Sequence, residues 1–375
     1  MILGQKKIFL VGAYPESVCT FRGHLISKII ANGHDVTVMT ACASDEVQRD
    51  IRSLGAEFLS YPIERNGTNP LKDLGTKSFL SKAFVDHQPD LILAYTIKPI
   101  IWGGVAARSI PNCRFSALVT GLGYAFQGRT FKQRLLCQLT SNLYRYSLRR
   151  ANTVIFQNID NLNEFVSRKI IPDSKCRIVP GSGVSLIHYK QEPIPDGEIR
   201  FLLIARLLKE KGIREYVEAA KIVKKQFPTA RFLLVGPSDP SPDGIPLDVV
   251  KNWDSEGIIE YRGATTDVRP FLNDCHVFVL PSYHEGMPRT VLEAMATGRP
   301  ILTTDVCGCR ETVENGKNGW LVPKADSQAL AERMIWFLKH PSQLAIMGNE
   351  SRTLAEKRFD VELVNAKMLE ILQLQ

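Results

Sequence analysis

The chain is predicted to fold as two tandem doubly wound α/β domains. Three observations carry this. Its 375 residues exceed the roughly 250–300 at which a single hydrophobic core stops growing. Short, near-continuous apolar runs alternate with helical stretches, the pattern of a parallel sheet covered on both faces. The alternation halts at a Pro- and Gly-bearing stretch, Gln191-Glu192-Pro193-Ile194-Pro195-Asp196-Gly197, and then begins again.

In the first half the strands are expected at residues 8–12, 35–40, 57–61, 91–95, 114–120, 153–157 and 176–179, and an amphipathic helix at 23–31 ends at Asn32-Gly33. In the second half, strands at 200–205, 231–235, 258–261, 277–280 and 300–303 accompany a helix at 213–226. The C-terminus is helical, at 327–339, 343–357 and 361–374. The domains are therefore drawn at 1–190 and 191–375, with the last helix allowed to pack back on the first domain. Two such domains place a ligand cleft at the carboxyl ends of their strands.

Composition is that of a soluble globular protein, 44% hydrophobic and 23% charged. No apolar run approaches the roughly 18–20 residues that span a bilayer, and residues 8–11 are too short for a signal-peptide core. The expected location is cytosolic. Eight scattered cysteines form no Cys-x-x-Cys pair, and Cys307-Gly308-Cys309 has a poor zinc or redox spacing, so reduced thiols are expected. Charge is uneven. Residues 1–190 hold 24 Lys and Arg against 13 Asp and Glu, and residues 191–375 hold 23 against 26. Residues 91–159 contain no acid, but do contain Lys98, Arg108, Arg114, Arg129, Lys132, Arg134, Arg145, Arg149 and Arg150. The first half therefore calls for an anionic partner. No nucleic-acid recognition motif accompanies the charge. A dehydrogenase is excluded because the first βα turn, Gly12-Ala13-Tyr14-Pro15, carries one glycine of the G-x-G-x-x-G fingerprint.

The segment 283–300 is the most informative. A strand ends at Leu280, Gly286 permits a tight backbone approach, and Pro288 suits a helix start. The helix runs to about Thr297, with Gly298 as its stop. Its first N–H groups, at Arg289, Thr290 and Val291, would form an anion site at a strand's carboxyl end. Glu285 precedes the helix and Glu293 lies inside it, so one carboxylate could reach a sugar and the other a ribose. By geometry alone, a capped helix with two solvated glutamates is an equal reading.

The spacing of Glu285 and Glu293, between Pro281-Ser282 and Ala294-Met295-Ala296, resembles the E-x7-E signature of glycosyltransferase family 4. The resemblance implies a GT-B fold of two Rossmann-like domains, a retaining reaction, a nucleotide-sugar donor, and no cofactor or metal. It assigns the donor to the second domain and the acceptor to the first. Arg206 and Lys211-Gly212 resemble the family's Arg…Lys-Gly element, which holds the donor diphosphate; two cations at a strand end and helix start suit that ligand. On this resemblance Glu285, Arg206 and Lys211 are the catalytic residues, and Gly286, Met287 and Pro288 join the donor site. Arg262-Gly263 resembles the element that lends backbone groups to the nucleobase, with Asp267 as a helix cap. Gly12 corresponds to the donor-approaching loop of the first domain. Tyr14, Thr120, Gly121 and Gly123 fall in the acceptor and sugar region, and Thr120 stands where many members carry His. Thr120-Gly121-Leu122-Gly123 is similar to the capsule, O-antigen and lipid-linked oligosaccharide branch.

His24, His34, His87, His188, His276 and His340 show no paired metal spacing, and His284 is set apart only by adjoining Glu285. The branch points to UDP and an N-acetylhexosamine, and to a polyprenyl-diphosphate-linked saccharide acceptor. Residues 130–150 place Phe131, Leu135, Leu139, Leu143 and Tyr146 near one helical stripe, among basic residues. That stripe suits either a peripheral contact with an anionic inner leaflet or an ordinary core-facing helix. A GT-B sugar-nucleotide epimerase and a catalytically silent interaction subunit are the alternatives.

Overall fold

A computed structural model describes residues 4–64, 70–123, 126 and 131–375, with the backbone alone at Pro70, Leu71, Lys72, Lys132 and Gln133. Among these, the first sheet is formed by β1 Lys7–Val11, β2 Asp35–Thr40, β3 Glu57–Ser60, β4 Leu91–Tyr95, β5 Arg114–Val119, β6 Thr153–Phe156 and β7 Cys176–Ile178. Every pairing is parallel and the order is β3-β2-β1-β4-β5-β6-β7. Its helices are α1 Ser17–Ala31, α2 Asp45–Ser53, α3 Pro70–His87, α4 Ile97–Ala106, α5 Phe131–Leu148 and α6 Ile159–Ser167. The second sheet is also parallel: β8 Arg200–Ile204, β9 Arg231–Val235, β10 Glu260–Tyr261, β11 Val277–Leu280, β12 Ile301–Thr304 and β13 Gly319–Val322, in the order β10-β9-β8-β11-β12-β13. Its helices are α7 Ile213–Lys224, α8 Leu247–Ser255, α9 Arg269–Asp274, α10 Arg289–Ala296, α11 Ser327–Lys339 and α12 Ser342–Leu354; α13 Val361–Leu372 follows.

The strand runs are uninterruptedly apolar because helices cover both sheet faces. All five residues of β4 and all four of β11 are buried. Alternate residues feed separate cores: Phe9, Ile92 and Ala94 face one side of the first sheet, and Ile8, Leu10, Leu91 and Leu93 the other. Side-chain caps fix several helix starts. Ser44 accepts from Val47 N–H, Asn158 from Asn161 N–H and Asp326 from Ala329 N–H.

The chain divides into one unit ending at Ser182 and rejoined by Val364–Gln375, and a second unit, Gly183–Leu363. The expected boundary at residue 190 therefore lies inside the second unit. The Pro-rich stretch is held there: Glu192 N–H donates to Thr297 O at 3.1 Å, and the fully buried Arg299 reaches Pro193 O at 2.9 Å. Within the first unit, Val364, Met368, Leu369, Leu372 and Leu374 pack into the core of Ile8 and Leu91. Lys6 Nζ, Asn32 Nδ2 and Arg114 Nη1 donate to the carbonyls of Gln373, Leu374 and Leu372.

Two elements differ from expectation. Helix α1 begins at Ser17, not residue 23, because Val18 and Arg22 extend its buried face. On α5 the apolar stripe is turned outward. Its buried residues include Cys137, Thr140, Ser141, Tyr144, Ser147 and Leu148. Phe131, Leu135, Leu139 and Tyr146 are 82%, 65%, 57% and 54% exposed, and Leu143 alone of the stripe packs on the core. The core-facing reading of the stripe is thereby overturned. At Ser147 the helix comes close to α4, where a Cβ added at Gly104 would stand 2.8 Å from Ser147 O. Thr130 and the side chain of Lys132, from the same stretch, lie outside the described residues, as do Tyr124, Ala125 and Arg129.

Candidate active site

In a doubly wound sheet, ligands bind where successive connections part in opposite directions, at the carboxyl ends of two adjacent strands. In the second unit that point lies between β8 and β11. The loops leaving these strands carry Arg206 to Gly212 on one side and Pro281 to Pro288 on the other. They are stitched together. Tyr283 N–H and Ser282 Oγ both donate to Glu210 O, at 2.8 and 3.2 Å, and Tyr283 Oη donates to Glu215 Oε1 at 2.6 Å. Gly212 takes a left-handed φ of 70°, and a Cβ there would stand 2.0 Å from Pro281 O. Only glycine lets the two loops meet.

Lys211 Nζ bonds Glu285 Oε1 at 2.6 Å, with side chains 16% and 14% exposed. Burial works to lower the Lys211 pKa, but Glu285, bonded to it, and nearby Glu210 together outweigh burial, so the ammonium is held above its ordinary value. The Glu210 pKa is raised as well, by burial first, against the pull of Lys211 and with Asp243 and Glu285 adding to it. The loop after β12 props this turn. Glu285 N–H donates to Cys307 O at 3.2 Å, and Gly308, at φ 76°, leaves no room for a side chain against the Glu285 and Gly286 carbonyls. Burial, with Glu285 close by, pushes the Cys309 thiol to about 12, so it stays neutral.

Arg206 is half exposed and bonds Asp239 Oδ2 at 2.6 Å. Asp239 lies in the loop after β9, and its pKa is lowered first by Ser241 and then by Arg206. Lys209 is exposed, with Nζ on Pro242 O.

Helix α10 begins at Arg289, with Pro288 as its N-cap rather than its first residue. Val291 N–H already donates to Pro288 O at 3.1 Å, so the expectation of a free donor there is corrected. The first turn closes one residue earlier than the sequence suggests. Arg289 Nε bonds Glu293 Oε1 at 2.9 Å, and Glu293 is buried. The Tyr189 hydroxyl lies against the same carboxylate; burial first, then Glu293, raises its pKa. Met287 packs on the core beneath.

At the sheet's other flank, Arg262 N–H donates to Leu234 O and Gly236 N–H to Gly263 O, continuing the sheet. The Arg262 side chain pairs with Glu260. Helix α9 begins one residue later than expected, at Arg269, and Asp267 serves its start by accepting from Arg269 N–H; Arg269 Nε and Nη2 also donate to Asp267, and these bonds lower its carboxyl to about 2. In the first unit Gly12 lies under the Tyr95 ring, where a Cβ would meet Oη at 2.2 Å, and its carbonyl accepts from Tyr61 Oη at 2.7 Å. Tyr14 is 44% exposed; Thr120, Gly121 and Gly123 follow β5, with Gly123 at φ 63°. Among the described residues no three His, Cys, Asp or Glu side chains gather as a metal-binding set.

Residues 186–354 match the family model described as glycosyl transferases group 1, and residues 7–158 match that described as glycosyl transferase 4-like. A Campylobacter jejuni protein, N,N'-diacetylbacillosaminyl-diphospho-undecaprenol alpha-1,3-N-acetylgalactosaminyltransferase, is 31% identical over 338 residues, 86% of this chain and 87% of its own. The protein is a family 4 glycosyltransferase. The Escherichia coli UDP-Gal:alpha-D-GlcNAc-diphosphoundecaprenol alpha-1,3-galactosyltransferase is 23% identical over 71% of this transferase and 70% of its own chain. Anabaena HepE, solved with UDP and glucose, superposes with a TM-score of 0.80 at 18% identity, over 98% of this chain and 100% of its own. That likeness confirms the GT-B fold.

The structure thus brings Arg206, Lys211, Glu285 and the start of α10 to the switch point of one sheet. Sequence reasoning missed four residues of the transferase that complete it: Asp239 beside Arg206, Glu210 beside Lys211, Tyr189 against Glu293, and Glu215 under Tyr283. None carries a motif. Asp239 and Tyr189 meet their partners from distant loops, and only the alternation of loops around a switch point would have suggested looking there.

Proposed function

We propose that this transferase moves a sugar, foremost an N-acetylhexosamine, from a UDP donor to a polyprenyl-diphosphate-linked saccharide with retention of anomeric configuration. The observation that carries this is the pairing of Lys211 with Glu285 beside Arg206 and the α10 N-terminus. It sets two cations and a helix tip where a diphosphate would lie. The activities by which the Campylobacter and Escherichia coli relatives are named, both on diphospho-undecaprenol acceptors, support the acceptor class. UDP in the Anabaena structure supports the nucleotide.

In this reading Arg206, Lys211 and the α10 start hold the diphosphate and stabilise the charge that builds on it as the glycosidic bond breaks. Glu293, held by Arg289, receives the ribose hydroxyls. Glu285 faces the sugar. Arg262 C=O and Gly263 N–H, the groups not used by the sheet bonds above, pair with the base. The bond from the anomeric carbon to the diphosphate oxygen breaks, and the acceptor oxygen bonds to that carbon on the same face. The acceptor proton passes to the departing phosphate oxygen, and no metal is called for.

The outward stripe of α5, with Arg134, Arg145, Arg149 and Arg150 also exposed, supports docking on an anionic membrane surface at the cytoplasmic face. No helix among the described residues is long and apolar enough to cross a bilayer.

A panel of UDP-sugars with a short polyprenyl-diphosphate saccharide tests the reaction. Retained product by NMR, abolished by Glu285→Ala, is expected. An inverted product overturns the mechanism, and epimer or free sugar formed without acceptor favours an epimerase. Flotation with anionic liposomes tests docking: Leu135→Asp with Leu139→Asp should release the protein, and equal partitioning with neutral lipid counts against it.

A further inference from the structure

The amino ends of β5, β6 and β7 lie at the opposite end of the first sheet from the carboxyl ends, where the reacting ligands of a doubly wound fold bind. A cavity of about 460 Å³ opens there, the size of a small-molecule site. One wall comes from the sheet: Arg114 begins β5, Asn152 and Thr153 lead into β6, and Arg177 lies in β7. The other wall is the C-terminal strip, through Lys367, Glu370, Ile371 and Gln373.

The lining does not balance its own charge. Lys367 Nζ pairs with Glu370 Oε2 at 2.8 Å, so these two cancel. Arg114 spends Nη1 on Leu372 O at 3.0 Å, and Arg177 spends Nη1 on Ser174 O and Cys176 O at 3.0 and 2.7 Å. Neither guanidinium has a carboxylate partner among the described residues. The Asp90 carboxylate, before β4, accepts from Lys7 N–H at 2.8 Å instead. Two arginine forks are thus left for one dianion, and the fork matches the oxygens of a phosphate. The other side chains say what the phosphate is attached to. Asn152 gives its Oδ1 to Phe115 N–H, which leaves the amide hydrogens to donate, and Thr153 and Gln373 add a hydroxyl and a second amide. Ile371 is the one apolar side chain of the lining among the described residues. Such walls suit sugar hydroxyls, whereas a nucleobase or a lipid tail needs apolar surface.

We propose that this cavity binds a phosphorylated sugar, with Arg114 and Arg177 on the phosphate and Asn152, Thr153 and Gln373 on the hydroxyls. The ligand touches sheet and C-terminal strip together, so its binding holds the strip against the sheet. The site stands apart from the donor chemistry and does not depend on which sugar is transferred.

Calorimetry on the full chain tests it with glucose 6-phosphate, glucose 1-phosphate, glucose and inorganic phosphate as probes, and with UDP for the donor site. At least one sugar phosphate should bind, with inorganic phosphate at least tenfold weaker and glucose weaker still. Arg177→Glu, at an exposed position, should weaken the sugar phosphate at least tenfold and leave UDP within twofold of wild type. Arg114→Lys, which keeps a donor for Leu372 O but loses the fork, should weaken it in the same way. Arg206→Ala should weaken UDP and spare the sugar phosphate. Hydrogen exchange at residues 364–375 should slow when the sugar phosphate saturates the wild type and stay unchanged in Arg177→Glu. The site is overturned if neither sugar phosphate binds, if both Arg177→Glu and Arg114→Lys bind undiminished, or if Arg206→Ala loses as much as they do. Inorganic phosphate binding as tightly as the sugar phosphates overturns the sugar assignment, and unchanged exchange in the strip overturns the bridge.

Discussion

Replacing Lys211 with Met strips the partner from a carboxylate that is 14% exposed. At 2.6 Å and an effective dielectric near 20, the gross attraction between the two charges is about 6 kcal/mol. Burial of both groups offsets much of that, so a coupling energy of about 2–4 kcal/mol is expected. The measurement is a double-mutant cycle of Lys211→Met, Glu285→Gln and the pair, each unfolded in urea. Lys211→Met alone should be the least stable, because it leaves Glu285 charged, buried and unpaired. Adding Glu285→Gln should recover much of the loss, since neither remaining side chain is charged. The same variants separate stability from ligand binding. Lys211→Met should weaken UDP at least tenfold, whereas Glu285→Gln, which removes a competitor for the ammonium, should bind UDP equally or more tightly while transfer is lost. A coupling below about 0.5 kcal/mol, the range of an exposed pair, would refute the reasoning.

Two glycines with the same φ should respond differently. Gly263→Ala, at φ 72° with open space around it, should cost about 1–2 kcal/mol, whereas Gly212→Ala, with Pro281 O at 2.0 Å, should cost clearly more; urea midpoints give both. Arg206→Ala should raise the donor KM at least tenfold, and Asp239→Asn should leave stability within about 0.5 kcal/mol because Arg206 is half exposed. His276 is pushed from 6.5 down to about 4 by burial, with Arg200 and Arg299 adding to it. The unfolded chain then takes up a proton below 6.5 that the native state refuses until about 4. Stability is complete above 6.5 and falls by up to about 3 kcal/mol on descending to 4. His276→Asn, which keeps an acceptor for Arg200 N–H, should flatten that fall, as read from unfolding curves at several pH values.

The sheets were legible because a doubly covered parallel strand must be apolar throughout, and runs such as Phe201 to Ile204 and Val277 to Leu280 allow little else. The site residues on α10 and its approach were legible because Gly286, Pro288 and Gly298 punctuate a helix. The face of α5 was not. Helical periodicity at Phe131, Leu135 and Leu139 marks a stripe, but which way the stripe turns depends on α4, whose Gly104 lets the α5 backbone at Ser147 come close. Likewise no local pattern marks Asp239 or Tyr189, because their roles come from loops that meet only when the sheet order is known.

The last strip of chain, Val364 to Leu374, lies in the core of the unit that begins the chain. Synthesis runs from the N-terminus at roughly 5–20 residues per second, so making residues 183–363 alone takes about 9–36 s. Throughout that interval, while the second unit is still being made, the face formed by Ile8, Leu10 and Leu91 lacks the cover that Val364 to Leu374 supply. The nascent protein therefore spends that interval with an apolar sheet face partly bare. Its demand for chaperones should track the arrival of residues 364–375 rather than the completion of residues 1–182.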